Sequence, residues 1–114
     1  MQELFKLFEE MGYEHFRQGS LADEDYLDSF FTYWNYDSPT LKNRDNVSKV
    51  FGEYVMVYFY TNNANLIYSV MDDFITRAKQ KGFIVEGKAH DTPADKDDYF
   101  GRLVNIKIIS KEDE

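Results

Sequence analysis

The apolar pattern is densest over residues 54–85, which predict a strand, a tight turn, an amphipathic helix and a second strand. Residues 54–60 are all apolar or aromatic, and this predicts a central strand buried on both faces. The short polar side chains of residues 61–63 offer an N-cap. Apolar positions then recur every three or four residues, which predicts a helix over 64–81 that packs one face against a sheet. Gly82 supplies the left-handed residue that ends many helices.

Five segments, one of them the second strand just mentioned, carry further patterns. Residues 2–11 place apolar side chains on one stripe and charged ones opposite, which predicts a short N-terminal helix. Residues 13–18 predict a brief strand, and residues 29–36, dense in β-formers, predict a longer one. Residues 83–88 predict a strand, residues 102–109 alternate as a second strand does, and the two together predict an antiparallel hairpin.

Two polar segments separate these elements. Residues 37–49 contain a proline and lack periodicity, so they predict a long loop, and Lys42, Arg44 and Lys49 make it locally basic. Such a loop either is an arm that orders on a partner or is simply a solvated connection, and the sequence leaves both open. Residues 89–99 predict a second polar loop.

The elements together predict one domain over residues 1–114. We expect an α+β fold: a single domain with a four- to five-stranded, mainly antiparallel sheet packed against an N-terminal helix and one longer central helix.

Composition adds two constraints. Aromatic residues make up 18% of the chain, so some rings either cover a partner surface or fill an ordinary core. The chain has no cysteine, which removes disulfides and thiolate metal sites. Its apolar runs are also shorter than the roughly 20 residues of a membrane span, so we expect no membrane association.

The charge is unevenly distributed. Residues 1–37 carry nine acids against two bases, and hold most of the net charge of −8. An acidic surface repels phosphate backbones, so we expect no sequence-specific nucleic-acid binding.

Candidate chemistry is sparse. Asp91, Asp95, Asp97 and Asp98 lack the alternation, central glycine and terminal glutamate of a helix–loop–helix calcium site, so a solvated turn is favoured. His15 and His90 have no nucleophile or second ligand in a local pattern. We therefore predict no catalytic, cofactor-binding or metal-binding residues, and no enzymatic activity.

Nearly the whole chain resembles a known family. Four pieces carry the resemblance: FFTYWN at 30–35, YFYTN at 58–62, GFIV at 82–85, and residues 91–102 before the last strand. These pieces resemble the small tail-terminator or tail-completion proteins, also called head–tail joining proteins, of long-tailed bacteriophages and prophages. They are framework signatures, and none is a catalytic motif.

The resemblance implies a structural role without cofactor or reaction. Members of the family form a hexameric ring that stops polymerisation of the tail tube and presents a docking surface to the head. The implied partners are further copies of the chain, the tail tube protein and head connector proteins. The implied location is the head-proximal end of the virion tail, with assembly in the host cytoplasm.

Candidate contact residues follow from side-chain type and from position in or beside the loops. They are aromatic or basic: Tyr33, Trp34, Tyr36, Lys42, Arg44, Lys49, Tyr99 and Arg102. Two alternative functions stay open at this point. One is a head-completion or minor capsid protein, and the other is a small α+β ligand-binding or regulatory module.

Overall fold

The chain forms a five-stranded sheet and two helices in a computed structural model that describes residues 1–22, 25–36 and 50–111. The helices and strands in chain order are α1 (Gln2–Met11), β1 (His15–Arg17), β2 (Ser29–Tyr36), β3 (Val50–Thr61), α2 (Ile67–Gln80), β4 (Ile84–Thr92) and β5 (Phe100–Lys111). A short 3-10 turn, Ala64–Leu66, precedes α2.

The sheet is mixed, with strand order β1-β2-β3-β5-β4. β1 runs parallel to β2, and the remaining neighbours are antiparallel. β3 is therefore the central strand, and β4 and β5 form the predicted hairpin. The expected α+β fold, a mainly antiparallel sheet with an N-terminal helix and a longer central helix, is confirmed.

Both helices pack on the same face of the sheet. Their apolar stripes meet alternate residues of β2, β3 and β5, because side chains one position apart along a strand point to opposite faces. The fully buried side chains of this core include Leu4, Leu7, Phe8, Phe31, Val55, Val57, Phe59, Met71, Phe74, Val104 and Ile106. Burial of these groups is the main force that holds the helices to the sheet.

The ends of α2 have the chemistry that the sequence predicts. The Asn63 side chain accepts a hydrogen bond from the backbone N–H of Asn65 at 3.0 Å, and so caps the 3-10 turn that leads into the helix. After the helix, Gly82 has a φ of +89°, a left-handed conformation that glycine adopts without steric cost.

Two predictions about the strands are wrong. β3 is not buried on both faces, since Val55, Val57 and Phe59 are buried whereas Tyr54, Met56 and Tyr58 are half-buried on the face away from the helices. The period of two was hidden because tyrosine and methionine count as apolar in the sequence pattern.

The hairpin is also longer than predicted. β4 continues to Thr92 and β5 begins at Phe100, so the predicted 89–99 loop shortens to residues 93–99. Pairing with β5 extends β4 through polar residues, past an irregularity in register between Glu86 and His90. The loop predicted at residues 37–49 lies outside the described residues.

Candidate interaction surface

The sheet face opposite the two helices carries a continuous group of aromatic and apolar side chains. We call this surface the aromatic face; its central members are Trp34, Tyr36, Tyr54, Met56 and Tyr58. They come from alternate positions of β2 and β3, where Trp34 pairs with Met56 and Tyr36 with Tyr54. Paired side chains lie on the same side of a sheet, close enough to touch. The Tyr36 and Tyr54 ring centroids are 5.6 Å apart.

β5 and β4 extend the aromatic face toward one edge of the sheet. Leu103 and Lys107 of β5 lie opposite Tyr58 and Tyr54 of β3, and Ile84 of β4 pairs with Lys107. The Lys107 ammonium lies 5.4 Å from the centroid of the Tyr54 ring, within cation–π range. Trp34 is 52% exposed and Ile84 is 46% exposed. This surface therefore combines large exposed apolar groups with one cation held over a ring.

One end of the same sheet face is covered by the chain itself. Phe30 of β2 is only 1% exposed, because the rings of Phe16 and Tyr26 meet it edge-on. Tyr99 supports this cover: its ring meets that of Tyr26 edge-on, and its hydroxyl donates a hydrogen bond to the Leu27 carbonyl at 2.8 Å. The aromatic face thus begins where this cover ends.

A polar cluster lies under the cover. Gln18 donates from Nε2 to the Tyr60 hydroxyl oxygen at 3.1 Å, and its Oε1 accepts a hydrogen bond from Thr32 Oγ1. Burial raises the pKa of Tyr60 to about 12, although the hydrogen bond from Gln18 acts in the opposite direction. The phenol is therefore held neutral far above physiological pH.

The pKa values of two tyrosines on the aromatic face, Tyr36 and Tyr58, are also raised. Desolvation raises the pKa of Tyr36, and the nearby charge of Glu86 and the phenol of Tyr54 raise it further. Desolvation raises the pKa of Tyr58 as well. These phenols stay uncharged at neutral pH, and they suit a contact that buries rings beside hydroxyl donors.

The structure divides the predicted contact residues among three places. Trp34 and Tyr36 lie together on the aromatic face. Tyr33 points to the helix side, where its ring lies 5.1 Å from that of Phe5. Tyr99 holds the cover over Phe30. The remaining predicted residues are Lys42, Arg44 and Lys49, which lie outside the described residues, and Arg102, described next.

Arg102 is engaged within the chain. It lies opposite Phe59 in the sheet register, on the helix side of β5. Its Nη1 donates to Asp91 Oδ1 at 2.7 Å, and its guanidinium carbon lies 4.7 Å from the centroid of the Tyr68 ring. Arg102 thus ties β4, β5 and α2 together at one end of the sheet.

Sequence reasoning missed several members of the aromatic face. Tyr54, Met56, Lys107 and Ile84 were assigned to strands but not to a surface. The signal was present in the segment YVMVYFY, where valine and phenylalanine alternate with tyrosine and methionine. Because alternate residues of a strand point to opposite faces, this alternation predicts that the valines and phenylalanine face the core and that the tyrosines and methionine face the other side.

The metal-ligating side chains of the described residues do not cluster. No three His, Asp or Glu side chains among them lie close enough together to hold a metal ion. His15 stacks on the Phe5 ring at 4.7 Å and lies 5.3 Å from the Phe8 ring, so it packs against α1. In the part of the chain that the structure covers, neither helix has the length and apolar character needed to cross a membrane.

Comparison of this chain with models of protein families, with curated proteins and with solved structures finds no match.

Proposed function

We propose that this chain is a ring-forming tail terminator, or head–tail joining subunit, of a long-tailed bacteriophage or prophage. It caps the tail tube at the head-proximal end of the tail and docks the tube to the head. Its partners are further copies of itself in a hexamer, the tail tube protein and head connector proteins. The role requires assembly in the host cytoplasm and no catalysis.

The observation that carries the proposal is the aromatic face. Tryptophan, tyrosine and methionine are enriched in protein–protein interfaces, and buried tryptophan and tyrosine supply much of the binding energy there. On this face Trp34 stands beside Tyr36 and Met56, with the helices packed on the other side. Such a surface suits a subunit of an assembly, because a neighbouring subunit that covers the aromatic face removes apolar area from water.

The sheet edges and the acidic surface support the same proposal. β1 and β4 are the outer strands of the sheet, and outer strands present backbone hydrogen-bonding groups to a neighbour. On the outer side of α1, Glu3, Glu9 and Glu10 are exposed. Negative charge of this kind disfavours binding of DNA that passes through a ring.

The test combines oligomer mass with tail morphology. Native mass spectrometry and light scattering should find a hexamer of the chain, either alone or on addition of purified tail tube protein. Electron microscopy of phage particles that lack the protein should show overlong tails. Full-length tails beside unsealed heads would assign the chain to head completion instead, and a strict monomer at high concentration with tube protein present would favour a ligand-binding or regulatory module.

A further inference from the structure

A cavity of about 290 Å³ lies at the end of the sheet where α2 begins, away from the aromatic face. The first turn of α2 forms one wall, and the end of β4, the following turn and the start of β5 form the others. Its described lining residues are Ile67, Tyr68, Asp91, Thr92, Pro93, Ala94, Tyr99, Phe100 and Gly101. The volume suits one long side chain better than a large cofactor.

The lining is amphipathic. Three aromatic rings, together with the aliphatic groups of Ile67 and Pro93, supply most of the wall, and Asp91 is the charged side chain among the described lining residues. Phe100 is 44% exposed and Tyr68 is 52% exposed, so both rings remain accessible. An apolar wall with one carboxylate matches a ligand that has an apolar stem and a cationic head.

Hydrogen bonds from Arg102 and Tyr68 position the Asp91 carboxylate, and the carboxylate can still accept further hydrogen bonds. Its Oδ1 accepts from Arg102 Nη1 at 2.7 Å, and its Oδ2 accepts from the Tyr68 hydroxyl at 3.3 Å. A carboxylate has about four lone-pair sites, so each oxygen can accept one more hydrogen bond. The Asp91 side chain is 66% exposed, which leaves those sites open to a ligand.

The chain itself provides an example of the interaction. Arg102, which is not among the described lining residues, places its guanidinium 4.7 Å from the centroid of the Tyr68 ring while it binds Asp91. The same carboxylate and ring therefore already hold one guanidinium in place. A ring face and a carboxylate each attract a cation.

The surrounding charge favours a basic ligand over an acidic one. The turn after the pocket carries Asp95, Asp97 and Asp98 against Lys96. The whole chain has a net charge of −8. Arg102 balances the charge of Asp91, but the turn still has an excess of acids, so a cationic group is attracted toward this end of the molecule and an anionic group is repelled.

We propose that this pocket binds a lysine or arginine side chain presented by a partner protein. The aliphatic stem lies against Ile67 and Pro93, and the cationic head binds Asp91 beside the exposed rings. The pocket shares no residue with the central members of the aromatic face.

The proposal is tested by NMR titration of the full ¹⁵N-labelled chain with two probes. Nα-acetyl-arginine methylamide carries the stem and the charge, and Nα-acetyl-norleucine methylamide carries an apolar stem alone. We expect the backbone amides of Tyr68, Asp91 and Gly101 to shift with the arginine probe, with affinity about fivefold or more above that of the norleucine probe. Equal affinity for both probes, or shifts that map elsewhere, would overturn the proposal.

An aspartate variant in the pocket and a matched control variant outside it show whether the Asp91 carboxylate binds the probe. Asp91→Asn keeps the size of the side chain, removes its charge and replaces one acceptor oxygen with an N–H donor, so it should weaken the arginine probe about fivefold. Asp73→Asn is the matched control, because Asp73 forms a comparable exposed ion pair with Arg77 at 3.1 Å on α2 and does not line the pocket.

The control should bind the probe within about twofold of the unmodified chain. If both aspartate variants weaken binding equally, long-range charge explains the affinity and the pocket assignment is wrong. Phe100→Ala gives an independent check, since loss of this exposed ring should also weaken the arginine probe. Unchanged binding in both Asp91→Asn and Phe100→Ala would likewise refute the site.

Discussion

Trp34 of β2 lies directly opposite Met56 of β3, with both side chains on the sheet face away from the helices. In the same register Tyr33 lies opposite Val57, on the helix side. Two adjacent aromatic residues thus lie in different environments: Tyr33 packs against α1, whereas Trp34 is 52% exposed. The difference makes Trp34 the side chain with which to test association.

Trp34→Ser should weaken self-association, or association with tail tube protein, by about 30-fold, because a buried interface tryptophan commonly contributes about 2 kcal/mol. The free energy of unfolding of the subunit should fall by less than about 1.5 kcal/mol, since about half of the residue is exposed. Sedimentation velocity over a concentration series measures the first quantity, and urea unfolding measures the second.

Tyr68→Ser is the control for this experiment. Tyr68 is also 52% exposed, but it lies on α2, on the other side of the sheet. It should leave self-association of the chain alone unchanged; tail tube protein is left out of this control because Tyr68 also lines the pocket proposed to bind a partner's basic side chain. Equal loss in the two variants would show that association depends on exposed apolar area in general and would remove the aromatic face from the proposal.

Phe8→Ala should destabilise the fold by about 3–5 kcal/mol. Phe8 is fully buried, and its ring lies 4.6 Å from that of Phe31 and 5.8 Å from that of Phe74, so it joins α1 to both the sheet and α2. Phe5→Ala, one turn earlier on α1, should cost less than half as much because Phe5 is only half-buried. Urea unfolding of both variants measures the difference, and equal costs would contradict this packing.

Local signals in the sequence were enough to predict both helices and the existence of the five strands, and they gave the bounds of one helix and one strand. The predicted bounds 2–11 and 29–36 match α1 and β2, and Gly82 ends the second helix as expected. Periodicity and capping depend on residues close together in the chain, so they can be read without knowledge of the tertiary structure. The bounds of β4 and β5 could not be read in this way, because pairing between the two strands extends them through polar residues such as His90 and Asp91.

The candidate site was predicted only in part. The sequence indicated surplus aromatic residues and selected Trp34 and Tyr36, which the structure brings together with Tyr54 and Met56. It also selected Arg102, but an ion pair between strands fixes that side chain. Which charged side chains find partners within the fold depends on strand register, and the register of β4 against β5 was not available from composition or spacing.

Tyr60 gives the fold a defined response to alkaline pH. Its pKa in the folded protein is raised from 10.0 to about 12, so the folded state keeps a proton that the unfolded state has already lost. This contribution to stability is complete below pH 10 and is lost as the pH rises toward 12. The free energy of unfolding should fall over that range by at most about 1.4 kcal/mol per pH unit for this group.

Tyr60→Phe should flatten the decline in stability between pH 10 and pH 12 relative to the unmodified chain. Burial also raises the pKa of Tyr36, but that side chain is more exposed, so Tyr36→Phe should flatten the decline less. Urea unfolding at a series of pH values gives the slopes. Identical slopes for the unmodified chain and Tyr60→Phe would show that the Tyr60 phenol does not control the response.

Gly101 of β5 has no room for a side chain, because Thr92 and Tyr60 lie too close to its Cα atom. A Cβ atom there would lie 2.8 Å from the Thr92 carbonyl oxygen and 2.8 Å from Cε1 of the Tyr60 ring. Gly101→Ala should therefore destabilise the fold by about 1–3 kcal/mol, the usual cost of overpacking.

A double-mutant cycle separates the two contacts of that Cβ atom. Tyr60→Ala removes the ring atom, so Gly101→Ala should cost about 1 kcal/mol less in that background than in the unmodified chain. Tyr60→Phe keeps Cε1, so in that background the cost should be unchanged. If the ring contact is responsible, only the alanine background relieves it; equal costs in all three backgrounds would instead assign the strain to the Thr92 backbone and to the strand pairing itself.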